Sequence, residues 1–168
     1  MMKKRGKNRR AQIQISFGMI FSIILIIAFI ALAIYIIMVF LGWKTCTETG
    51  LFKQDLQEAI DNAWSRDMHK ETFTKSLSGG IEKVCFVDLS KASKGNYKEY
   101  YSDFELQGKG NLFFFPLKKA CEGQRSFNIN HLNIDKITEQ DNPYCMGDNG
   151  KIEIKIEKEF NENLVNII

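Results

Sequence analysis

No charged residue occurs between Arg10 and Lys44, which leaves 33 consecutive uncharged positions, 11–43. A stretch of that length excludes a simple soluble cytoplasmic protein. Proline is almost missing, with two in 168 residues, so no rigid proline-rich stalk is expected. Histidine is as scarce, with His69 and His131 only. No serine lies in a G-x-S-x-G elbow, and there is neither a phosphate-binding G-x-x-x-x-G-K-[ST] loop nor a G-x-G-x-x-G run. A D-x-D-x-D-G calcium loop and an N-x-S/T acceptor are also absent. Catalysis, nucleotide binding and metal binding therefore have no motif here. No catalytic residue, cofactor or metal ligand is expected.

What is present is unevenly placed. The apolar heart of the uncharged stretch runs over 27 residues, from Ile15 to Leu41. As a helix it would span roughly 40 Å, against roughly 30 Å of bilayer hydrocarbon. A cleaved secretory signal has an apolar core about half as long. The run ends in Phe40-Leu41-Gly42-Trp43-Lys44, where Trp43 and Lys44 are an aromatic and a cation suited to a membrane interface. The plain reading is an uncut signal anchor, with the lipid bilayer as partner.

Charge gives the orientation. Of 23 basic residues, six lie within residues 1–10, with no acid among them. Residues 44–168 are left with 17 basic and 20 acidic side chains. The positive charge of the chain thus belongs to its tip, and the rest is mildly acidic. A nucleic-acid partner gains no support from that balance. Positive charge stays on the cytoplasmic side. The expected order is a basic cytoplasmic leader (1–11), a transmembrane helix (12–43) and an extracytoplasmic domain (44–168).

Just before the apolar run the chain reads Arg9-Arg10-Ala11-Gln12-Ile13-Gln14-Ile15-Ser16. This resembles the leader of archaeal type IV pilins and their relatives, in which a basic leader ends in a basic residue and Gly or Ala. The resemblance covers the leader and the hydrophobic helix. It implies a cut between Ala11 and Gln12, and a mature chain that begins directly with the helix. It also implies a head in which the back half of that helix packs on a sheet. Ser16 stands at the fifth mature position, where many pilins carry Glu.

All four cysteines, Cys46, Cys85, Cys121 and Cys145, follow the apolar run. An even set in a small exported domain predicts two disulfides, with three connectivities open. Spacings of 39, 36 and 24 residues lack the close ligand pairs of a structural zinc site.

The domain reads as α+β. Lys44–Gly50 is expected to be a polar joint where the chain bends and Thr47 or Thr49 caps a new helix. Phe52, Leu56, Ala59, Ile60 and Ala63 recur at helical spacing and predict an amphipathic helix over 51–66, with a polar tail to Ser76. Strands are predicted over 81–87, 112–115, 127–134 and 144–146, and from Lys151 to Phe160. The last two flank Asn149-Gly150 and predict a hairpin. Residues 89–98 read as a loop, with a short helix expected near 97–106. The expected architecture is a long N-terminal transmembrane helix, then an amphipathic helix packed on a small antiparallel sheet.

Three local features bear on function. If Phe113 and Phe115 face the core, Phe114 faces out, where the 89–110 segment is expected to cover it. His69 and His131 are expected in solvated positions, and Asp135, Glu139, Asp141 and Asp148 as a solvated acidic group. The C-terminal Leu164–Ile168 is expected to dock. The chain thus reads as a non-catalytic, membrane-anchored surface protein, structural or interacting, with a second copy or other surface proteins as partners. The alternative is an uncut anchored module that binds a ligand or envelope partner. A third reading, an exported hydrolase, requires a pocket joining His131 or His69 to an acid and a nucleophile.

Overall fold

The computed structural model describes residues 17–77, 79–121 and 123–168. The basic leader, Ala11 and Gln12 lie outside the described residues. Two compact units are formed, one ending at Val39 and one comprising Phe40–Ile168.

The first helix, α1 (Phe17–Trp64), is a single run of 48 residues. Every residue from Phe17 to Met38 is exposed. The expected joint at 44–50 is therefore corrected: the chain stays helical there. The threonines that suggested a cap bond backwards instead. Thr45, Thr47 and Thr49 donate their hydroxyls to the carbonyls of Leu41, Trp43 and Thr45 at 3.3, 3.0 and 3.0 Å. That pattern satisfies the side chains without ending the helix. Beyond it the helix buries Phe52, Leu56, Ile60 and Ala63, three or four residues apart. Burial of Phe52, Leu56 and Ile60 contributes about 1.5–3 kcal/mol each.

The rest of the domain holds two antiparallel sheets where one was expected. The three-stranded sheet has the order β1-β6-β7, from β1 (His69–Ser76), β6 (Lys151–Lys158) and β7 (Asn166–Ile167). The four-stranded sheet has the order β4-β3-β2-β5. Its strands are β2 (Lys83–Phe86), β3 (Leu112–Phe115), β4 (Ser126–Phe127) and β5 (Tyr144–Met146). Two short helices, α2 (Tyr101–Gln107) and α3 (Ile134–Ile137), and two 3-10 turns, Lys98–Tyr100 and Leu117–Lys119, complete the described elements.

Alternation builds the layers. Val84, Phe86, Leu112 and Phe114 share the main core with the α1 face and with Ile152, Ile154 and Ile156 of β6. Phe52 of α1 reaches both sheets, edge-on to Phe73 at 5.5 Å and to Phe114 at 5.6 Å. The opposite face of the four-stranded sheet carries Cys85, Val87 and Phe113, covered by Phe104 of α2. The Phe113–Phe115 expectation is thus reversed. Phe114 faces the main core, and Phe113 is the residue that the 89–110 segment covers.

Three predicted elements differ. Ser65–Ser76 is no polar helix tail: β1 pairs with β6 along its whole length, from His69 opposite Lys158 to Ser76 opposite Lys151. Over 127–134 only β4 is a strand. The side chain of Asn111 substitutes for a ladder partner there, donating to the Ile129 carbonyl and accepting from its N–H, both at 2.8 Å. His131 at φ 64° then turns the chain away. The hairpin around Asn149-Gly150 is a turn without a hairpin. Asp148 and Lys151 exchange backbone hydrogen bonds, yet β5 joins the four-stranded sheet and β6 the other.

Candidate functional site

The feature with most functional content is the exposed apolar stretch of α1, and within the domain the turns of α1 from Trp43 to Gly50. α1 is long and apolar enough to cross a membrane. Trp43 lies 69% exposed at the end of the apolar run. Lys44 follows it and pairs with Glu48 one turn on, at 3.6 Å.

Around residues 45–50 the rest of the domain closes on the helix. A disulfide joins Cys46 to Cys121, 75 residues away in sequence. Thr49 Oγ1 lies 2.9 Å from Gln124 Oε1. Gly79, at φ 75°, packs where an added Cβ would strike the Thr45 side chain. A built Cβ on Gly80 would meet the stem of Lys119 at 3.3 Å. Lys118 and Lys119 are exposed here. Gly79 thus packs against the helix at Thr45, and the Lys119 stem packs against Gly80. Sequence reading named Trp43 and Lys44 but missed Gln124. Only Cys121, three residues before Gln124, could have pointed to this place.

The second disulfide, Cys85–Cys145, joins register-paired residues of β2 and β5. Of the three connectivities left open, the structure shows Cys46–Cys121 with Cys85–Cys145.

The histidines are less solvated than expected. His69 is 11% exposed at its side chain and places Nε2 3.1 Å from Glu71 Oε2. His131 stacks flat on Trp64, with ring centres 3.9 Å apart, and sets Nδ1 3.0 Å from Asp61 Oδ1. Among the described residues, neither imidazole contacts a serine, threonine or cysteine side chain. Two members of the acidic group are partnered, and Glu139 and Asp148 are exposed. Asp135 pairs with Lys91, and Asp141 accepts the Asn96 N–H at 2.9 Å.

One buried polar cluster ties the loops together. Asn142 is fully buried, accepts the Asp88 N–H at 3.0 Å and donates to the Asp88 carbonyl at 2.9 Å. Burial alone would raise the Asp88 carboxyl. Hydrogen bonds from Ser90 Oγ and N, with the charge of Lys91, outweigh it and hold the group below its ordinary value of 3.8. The Lys136 ammonium likewise holds the Glu162 carboxyl low, through a 2.9 Å hydrogen bond. Both arrangements brace loops, and no histidine lines the open pockets beside them.

No family model matches the chain, and neither a curated protein nor a solved structure shows significant similarity to it.

Proposed function

We propose that this chain is a membrane-anchored cell-surface protein with a non-catalytic, structural or interaction role, processed and built like a type IV pilin subunit. One observation carries the proposal. The 22 residues from Phe17 to Met38 are uncharged and all exposed, on the same helix that supplies a buried face to the domain. Apolar surface on that scale is stable in lipid or in a helical bundle, and not in water.

Three features support the finer points. Positive charge gathered at residues 1–10 favours a cytoplasmic N-terminus, with 44–168 outside. Two disulfides and no free cysteine suit an oxidising compartment. The helix runs unbroken past residue 50 and packs its later turns on sheet strands, as the pilin resemblance implies. Ser16 favours the second reading, an uncut anchor bearing a partner-binding domain, because it withholds the acid that many pilins carry at that place.

Alkaline carbonate washing of native membranes, followed by lysine labelling of intact cells, tests the topology. The expected result is a chain retained in the membrane and labelled at lysines from Lys44 onward. Release by carbonate, or labelling of Lys53 and Lys151 only after lysis, overturns the proposal.

A further inference from the structure

Between α2 and the segment following β3 lies an open groove of about 340 Å³. Tyr100, Leu106, Phe115 and Leu117 give it a mostly apolar and aromatic lining. Leu106 is 82% exposed, the most exposed large apolar side chain of the folded domain. Two cations also line the groove, Lys118 and Arg125, against the single acid Asp103. Arg125 is half-buried. Among the described residues it makes no ion pair, and its Nε is buried without a hydrogen-bond partner.

Those facts restrict the occupant. A buried guanidinium Nε without an acceptor is costly to keep, and a planar carboxylate is the acceptor that matches the fork of Nε and a terminal nitrogen. Phe104, Leu106, Phe115 and Leu117 favour an occupant with an apolar body over a polyol. The volume lies at the lower end of that of small-molecule sites. We infer that this groove binds a small amphiphilic carboxylate, its apolar body against Tyr100, Leu106 and Phe115 and its carboxylate on Arg125 with help from Lys118. The inference does not depend on how the chain is anchored.

Saturation-transfer NMR on the full chain in nanodiscs tests it, with 3-phenylpropionate and its neutral amide as probes and empty nanodiscs as reference. The acid is expected to bind saturably and about tenfold more tightly than the amide, the size of one charge-assisted hydrogen bond. Arg125→Gln is expected to erase that preference. Leu106→Asp, at a site too exposed to disturb folding, is expected to weaken the acid through repulsion and is decisive if Arg125→Gln does not fold. Equal binding of acid and amide, signal no greater than from empty nanodiscs, or unchanged binding in Leu106→Asp overturns the inference.

Discussion

Asp88 shows how a single residue can couple this fold to pH. Its carboxylate accepts from Ser90 N at 2.9 Å and from Ser90 Oγ at 2.6 Å, and Lys91 Nζ lies 3.5 Å away. Its pKa is lower in the folded chain than its ordinary 3.8. A carboxyl depressed by folding stabilises the protein above the unfolded pKa and loses that contribution as pH falls through the folded one. Asp88→Asn is therefore expected to cost about 1–2 kcal/mol at neutral pH. The gap from wild type should close as the pH drops below 3.8. Urea titrations of both proteins across that range measure it, and a gap that widens in acid contradicts the assignment. None of this was legible in the sequence. Asp88 and Asn142 are 54 residues apart, and nothing in their neighbours marks either as buried.

At the scale of elements, legibility followed apolar periodicity. The alternating isoleucines of β6 and the Phe52-Leu56-Ile60 stripe of α1 announced their buried faces. β1 did not, because Phe73 is its only large apolar residue and its strand character comes from pairing with β6. The 127–134 alternation misled because Asn111 and the left-handed His131 end β4 after Phe127. The tight turn at Asn149-Gly150 was legible, while the divergence of its flanking strands is a tertiary result. Gly150 sits at φ 81°, where a Cβ would press on the carbonyls of Leu77 and Ile81. Gly150→Ala should lose about 1–3 kcal/mol in chemical denaturation, and an unchanged midpoint would contradict that packing. The disulfides divide by exposure. Cys85 is fully buried beneath α2, whereas Cys46 and Cys121 are both partly exposed. Mild reductant on the native protein should open Cys46–Cys121 first, read by alkylation and peptide mass. Removing that bridge by Cys46→Ser with Cys121→Ser should cost about 2–4 kcal/mol. Prior alkylation of Cys85 would reverse the assignment.

The whole molecule joins two environments on one helix. Its Phe17–Met38 part has a surface suited to lipid, and its Thr45–Ala63 part has a face suited to a protein core. The first half was plain in the sequence, because a run of 33 uncharged positions suits hydrocarbon and not water. The contacts on its middle turns were not, since Cys121 and Gln124 reach α1 only through the tertiary fold. The pilin-like subunit proposed above would be processed at its leader and oxidised outside the cell. The most direct measurement is the intact mass, without reductant, of the chain extracted from carbonate-washed native membranes. The account predicts a chain beginning at Gln12, about 4 Da lighter than its fully reduced form, two hydrogens for each bridge. A chain beginning at Met1 or Met2, or one carrying four free thiols, would overturn it.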